Sequence, residues 1–309
     1  MAGYPSPEEM RYSRRKTRAV RIGPLVMGGG HPIRVQSMTT TDPSNIDQTV
    51  IQIRRLQRAG CEIIRCAVRD KASALALGKI KKRIDIPLVA DIHFNYRLAI
   101  EVMKQGVDKI RINPGNIGSQ DKVEAVVKYA KKAKIPIRIG INAGSLKTDA
   151  GGKLTRTFPK GYPLHAVASP DLHCKGRSSD SERKAEEMVA SALRYIRIFE
   201  KLGFYNTVLS LKASDVPTTI EAYRLISAKT DYPLHLGITE AGPSFSGTVK
   251  SATGLGVLLA EGIGDTLRVS LTAEPEEEVR AGYEILRALG LSLIHISEPT
   301  RPLYISYAV

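Results

Sequence analysis

Five cationic side chains stand inside apolar, strand-like runs. They are Arg65 in IIRCAV, Arg111 in KIRIN, Arg138 in IRIGIN, Lys212 in TVLSLKA and Arg268 in TLRVSL. A lone charge in a buried strand is costly unless something pairs with it, so the repetition needs a common explanation. Arg111 and Asn113 are two residues apart, as are Arg268 and Ser270, while Arg138 and Asn142 are four apart. Side chains alternate across a strand, so each pair shares one face. A multiply charged anion, such as a diphosphate, would resolve the mutual repulsion of these cations. The competing reading is that each arginine pairs with a carboxylate, but Asp91 and Glu240 are the main carboxylates near these runs. His93 follows LVADI, and its place just past a strand end favours a site role over that of a satisfied core histidine. Glu240 follows LGIT and is a candidate proton donor or base. Lys212 is either an electrostatic clamp or, with a depressed pKa, a Schiff-base amine of a barrel aldolase acting on a phosphorylated substrate.

Composition agrees with an anionic ligand. The chain has 309 residues, 42% of them hydrophobic, and a formal net charge of +15, a balance that favours anionic partners. Aromatics are 6% with no Trp, which argues against a stacking surface for nucleic acid. No apolar run approaches the roughly 20 residues of a membrane span. The start, MAGYPSPEEMRYSRRKTR, lacks the apolar centre of a secretory signal. Neither a nucleic acid nor a membrane is therefore expected as partner, and a cytoplasmic location fits. The three cysteines, Cys61, Cys66 and Cys174, have no CxxC spacing. They read as reduced thiols, with no metal site among them.

Eight strand-like runs must position these side chains: 33–38, 63–68, 88–92, 109–113, 137–142, 207–213, 234–239 and 266–271. Most are rich in Val, Ile and Leu, as strands covered on both faces should be. Helical segments lie between them. Ser44 is a candidate cap and Gly60 a stop for the first, Ser119 a cap for a later one, and Pro275 and Gly290 bracket the last. The pattern predicts an α/β fold, a (β/α)8 TIM barrel, over 17–291. A doubly wound open sheet is the alternative, but Gly28–Gly30 precede the first run, the wrong place for a dinucleotide fingerprint. That glycine triplet suits the turn of an N-terminal β-hairpin over 17–34. Residues 1–16 read as a flexible tail, and 292–309 as a non-native tail. An irregular, Gly/Pro-rich insert at 146–180 reads as a surface loop, with a lid over the barrel mouth as the other reading.

The runs IRVQSMTTTD, GCEIIRCAV, ADIHFN, KIRINPGNIG, IRIGINAGSL, LSLKASD, LGITEAG and GDTLRVSLT, taken in order, resemble the 4-hydroxy-3-methylbut-2-enyl diphosphate synthase family. The resemblance spans roughly residues 16–291. It implies an oxidoreductase of non-mevalonate isoprenoid biosynthesis that reductively opens 2-C-methyl-D-erythritol 2,4-cyclodiphosphate. Arg65, Arg111, Arg138, Lys212, Arg268 and Ser270 match positions that grip the diphosphate; His93, Asn113 and Asn142 match polar substrate contacts. Glu240 matches the barrel glutamate that handles protons. The family uses a [4Fe–4S] cluster held by three Cys and one Glu of a C-terminal domain, flavodoxin or ferredoxin as electron donor, and a homodimer. Those cluster motifs do not occur in this sequence. The resemblance therefore implies the substrate-binding barrel without its electron-delivering half, inactive alone.

Overall fold

The computed structural model describes residues 13–145 and 180–292. Two short strands, β1 (Val20–Ile22) and β2 (Leu25–Met27), pair as an antiparallel hairpin. Eight parallel strands follow: β3 (Arg34–Met38), β4 (Ile63–Val68), β5 (Leu88–Ile92), β6 (Lys109–Ile112), β7 (Ile137–Asn142), β8 (Thr207–Lys212), β9 (His235–Leu236) and β10 (Thr266–Leu267). Their order is β8-β7-β6-β5-β4-β3-β10-β9. A parallel bridge between Leu209 and Leu234 brings β8 back to β9, so the sheet curls into a nearly closed barrel. The expected (β/α)8 architecture holds, and the open sheet does not.

Helices fill the outer layer: α1 (Ile46–Arg58), α2 (Lys71–Lys81), α3 (Tyr96–Lys104), the single turn α4 (Pro114–Ile117), α5 (Gln120–Ala133), α6 (Asp180–Lys201), α7 (Val216–Lys229), α8 (Ser244–Ala260) and α9 (Pro275–Ala288). On α1 the apolar stripe Val50, Ile53 and Leu56 is fully buried, as a helix of period 3.6 packed on a sheet requires. Its cap is Asn45 rather than Ser44: the Asn45 side chain accepts from the Gln48 amide, while Ser44 N–H donates to Asp42. The Asp42 turn holds Ser44 one position outside the helix. Ser119 stands at the N-cap of α5 and Pro275 in the first turn of α9, as expected.

Two strands are shorter than the sequence runs. β9 and β10 each end after two paired residues, although Arg268 N–H still bonds the Leu236 carbonyl and Thr239 N–H the Ala213 carbonyl. The hairpin also differs. It turns at Gly23–Pro24, where Gly23 takes φ +55°, and the Gly28–Gly30 triplet comes after it. A Cβ on Gly28 would lie 2.3 Å from the Arg18 carbonyl, so the triplet's task is the close passage from β2 to β3.

The hairpin closes one end of the barrel. Val20, Ile22 and Met27 pack with Ile63, Val89 and Val208 into their own apolar cluster. Those three strand residues lie at or next to the starts of β4, β5 and β8, so the plug fills the N-terminal end and leaves the C-terminal end for the site. Of the expected flexible tail, Arg14 and Arg15 lie among the described residues and are fastened to the barrel. Arg14 bonds Asp265 at 3.2 Å and the His31 carbonyl at 2.6 Å, and Arg15 bonds the Tyr232 carbonyl at 2.6 Å. Guanidinium groups that satisfy carbonyls at the strand starts hold this segment against the barrel. Residues 1–12, most of the 146–180 insert, Cys174 and the tail beyond Ser292 lie outside the described residues.

Candidate functional site

Strand parity carries the cations inward. Arg65 is third on β4 between outward Ile64 and Cys66, which belong to the main core, whereas Ile63 belongs to the inner plug. Arg65, Arg111 and Arg138 are all nearly buried, at 9%, 6% and 1% exposure. Arg111 and Arg138 are direct neighbours in register on β6 and β7. Lys212 ends β8 opposite Asn142. Two glycines make the room: a Cβ on Gly140 would lie 2.5 Å from Arg111 Nε, and one on Gly237 would lie 2.2 Å from Lys212 Nζ.

The arginines are not all unpaired, which corrects the expectation of a site short of carboxylates. Asp91 on β5 is 3.1 Å from Arg111 Nη1 and 3.4 Å from Arg65 Nε. Arg268, just past β10, is clamped by Glu278 of α9 through contacts of 3.1 and 3.2 Å. Glu278 also accepts from the Leu271 amide at 3.0 Å, so one carboxylate fixes both Arg268 and the turn that carries Ser270. The Met38 thioether at the end of β3 accepts from Arg65 Nη2 at 2.9 Å and lies 3.9 Å from Arg268 Nη1.

Burial and like charge set the electrostatics. Burial alone pushes the Asp91 carboxyl up, yet Arg65 and Arg111, with a hydrogen bond from His93, hold it well below the usual carboxylate range. Burial pulls Arg65 down to about 10, against the attraction of Asp91. Burial, then Arg138, Arg65, Arg268 and Arg111, drives the Lys212 ammonium well below its ordinary range. Burial and mutual repulsion thus disfavour the charged forms of Arg65 and Lys212, and a negative charge beside them would favour those forms.

The remaining expected residues sit around this ring. His93 Nε2 is 3.5 Å from Asp91 Oδ2, with the ring half-exposed. Asn113 is buried and caps α4 by accepting from the Gly115 amide. Asn142 closes β7, and Ser270 is partly buried beside the Ala241 amide, which bonds its carbonyl. Glu240 is exposed in the turn after β9, with a left-handed φ of +50°. That conformation is uncommon outside glycine and clusters at functional turns. Sequence reading missed Lys109 and His235, both fully buried and inward, and the anchors Met38 and Glu278. Lys109 stands two residues before Arg111 and shares its face, a signal that parity could have supplied. Glu278 lies in a different element, and nothing in its spacing marks it.

The described residues do not fit an iron–sulfur cluster. No group of three or more His, Cys, Asp or Glu among them is placed to hold a metal. Cys61 and Cys66 are buried, and burial pushes both thiols up to about 12, the opposite of what a thiolate ligand needs.

A (β/α)8 barrel with cationic and polar side chains gathered at the C-terminal strand ends has the architecture of a barrel enzyme. Comparison with known proteins narrows the class. The GcpE TIM-barrel domain matches residues 17–283. A 4-hydroxy-3-methylbut-2-en-1-yl diphosphate synthase (flavodoxin) from Caldanaerobacter subterraneus is 54% identical over 278 residues, covering 90% of this chain and 71% of that protein. The one from Geobacillus kaustophilus is 53% identical, covering 90% and 68%. The chain belongs to this family of oxidoreductases, and it matches the family's barrel domain. The Schiff-base aldolase reading is accordingly not favoured. Among solved structures, dihydropteroate synthase from Yersinia pestis is similar at a TM-score of 0.55 and 13% identity, covering 87% of this chain and 98% of that one. The Xanthomonas albilineans enzyme gives 0.56 and 12%, covering 88% and 97%. These last likenesses show the fold alone.

Proposed function

We propose that the mouth of this barrel binds 2-C-methyl-D-erythritol 2,4-cyclodiphosphate and holds it for reductive opening to 4-hydroxy-3-methylbut-2-enyl diphosphate. The observation that carries this reading is the convergence of Arg65, Arg111, Arg138, Lys212 and Arg268 on one end of the barrel, against the carboxylates Asp91 and Glu278. A diphosphate supplies the missing negative charge in a nearly dry site, where each charge-assisted hydrogen bond is strong. Asp91 and Glu278 hold three of the arginines in place beforehand, so little side-chain freedom is lost on binding. His93, Asn113, Asn142 and Ser270 surround the ring and orient the carbon skeleton by hydrogen bonds.

The conversion takes up two electrons and two protons and releases one water. Glu240, exposed on its strained turn, is the group we assign to carry a proton to or from the substrate. The electrons belong to residues other than those described. A [4Fe–4S] cluster needs four ligands, and we infer that the family's cluster domain, reduced by flavodoxin or ferredoxin, supplies it, in a homodimer in the cytoplasm. Among the described residues no helix is long and apolar enough to cross a membrane, in keeping with that setting.

Titration calorimetry with the cyclic diphosphate tests the reading on the chain itself. Saturable binding that weakens when salt is raised is the expected result. Heats no larger than those of dilution, under conditions where the chain is folded, would refute it.

A further inference from the structure

The barrel closes along a seam between β8 and β9, the two end strands of the sheet. Low on the seam the Leu209 amide bonds the Pro233 carbonyl at 2.9 Å, and Leu209 bridges to Leu234. High on the seam the Thr239 amide bonds the Ala213 carbonyl at 3.0 Å. A parallel ladder running between these two levels would carry the Leu211 amide to the His235 carbonyl. A side-chain hydroxyl stands there instead. Leu211 N–H donates to Tyr223 Oη at 3.2 Å, and the same hydroxyl donates to the His235 carbonyl. One step further up, the Ala213 amide donates to Thr219 Oγ1 at 3.2 Å.

Thr219 and Tyr223 are four residues apart on α7 and both fully buried, so one face of this helix lends two hydroxyls to the edge of β8. Burial pushes the Tyr223 phenol up. The hydroxyl therefore keeps its proton, and it can accept from one strand while donating to the other. The inserted oxygen also sets a distance. A direct bond would draw Leu211 and His235 to the ordinary strand spacing of about 4.8 Å, whereas two bonds in series through a hydroxyl hold them further apart. Lys212, the next residue on β8, uses that gap. Its Nζ lies 2.2 Å and its Cε 2.9 Å from where a Cβ on Gly237 would stand, so the amine crosses the seam to the β9 side. Drawing β9 in to ordinary spacing would press Gly237 against a side chain that already lies on it.

We propose that Tyr223 is a positioning residue for the diphosphate site: its hydroxyl wedges β8 from β9 and so holds the Lys212 amine over Gly237. Tyr223 acts through Lys212 and not on the ligand. Its effect on binding rests on the role proposed above for Lys212, whereas its effect on the place of the amine does not.

Tyr223→Phe removes the hydroxyl and keeps the ring. In a ligand-free crystal structure of that variant, the Leu211 amide and the His235 carbonyl should close to a direct hydrogen bond, and Lys212 Nζ should leave its place over Gly237. An unmoved Lys212 would overturn the proposal. So would a crystal structure of the unaltered chain in which Leu211 bonds His235 directly, a reading that holds even where the variant misfolds. Calorimetry with the cyclic diphosphate supplies the functional arm. Tyr223→Phe should weaken binding about tenfold, yet change it less than about twofold when Lys212→Met is already present, because a residue that acts through Lys212 then has nothing to position. Equal losses in both backgrounds would make Tyr223 a structural residue only and overturn the proposal. No binding by the unaltered chain would refute the reading of the mouth and with it the purpose given to Tyr223, while the ligand-free structures would still decide whether the hydroxyl places Lys212.

Discussion

At the scale of single residues, the site is a set of cations whose worth depends on their neighbours. Arg138 is almost fully buried and has two nitrogens without partners among the described residues, so it has most to gain from an anion. Arg138→Ala should weaken binding of the cyclic diphosphate by about 2–5 kcal/mol, the cost typical of removing one partner from a desolvated charge pair. Calorimetry showing unchanged affinity would remove Arg138 from the site. Asp91 has the opposite task. Its folded-state pKa lies below the unfolded value of about 3.9. The stability it lends is therefore complete above about pH 4 and is lost as pH falls through the folded value. Asp91→Asn should lower stability at neutral pH and flatten the acid limb of urea midpoints below about pH 4. Parallel acid limbs in both proteins would contradict that role. At this scale the sequence was informative for charges that interrupt apolar strands, since Arg65, Arg111, Arg138, Lys212 and Arg268 all reach the inner face or mouth. It was silent where a partner comes from another element. Nothing in the spacing of PEEEVRAGYE tells that Glu278 will clamp Arg268.

At the scale of elements, strand alternation and two glycines decide whether the cations meet. β4, β5 and β7 run over the residues expected from their apolar runs, because continuous Val, Ile and Leu leave little ambiguity. β9 and β10 end earlier. Just past β9, a Cβ on Gly237 would meet both Lys212 Nζ at 2.2 Å and the Arg268 carbonyl at 2.6 Å. The lysine can move, but the carbonyl belongs to a neighbouring strand end. Gly237→Ala should thus cost about 1–3 kcal/mol of stability, as overpacking in a closed interior does. Urea unfolding with a midpoint equal to that of the unaltered chain would show that the strand ends are looser than described. The hairpin was legible as an extended pair, but its turn was misplaced. Three consecutive glycines are a strong turn signal, yet Gly23–Pro24 makes the tight turn and the triplet makes a close crossing, a tertiary demand that local sequence does not display.

At the scale of the whole molecule, the proposed function divides binding from electron supply. The barrel gathers cations and polar groups at one end, while its described cysteines are buried thiols pushed up to about 12. Anaerobic treatment of this chain with iron and sulfide should leave no stoichiometric cluster absorption. Joining a family cluster domain after Leu291 should confer both cluster and turnover. A stable cluster in the chain as it stands would place the electron carrier within it and undo this division of labour.

The most direct test of the central claim is a crystal structure of the chain with 2-C-methyl-D-erythritol 2,4-cyclodiphosphate bound. The diphosphate is expected at the C-terminal mouth, in contact with Arg65, Arg111, Arg138, Lys212 and Arg268. The surface offers a competing basic groove, lined by Arg194, Arg197 and Lys201 between α5 and α6. A diphosphate bound there, with the barrel mouth filled only by water, would contradict it.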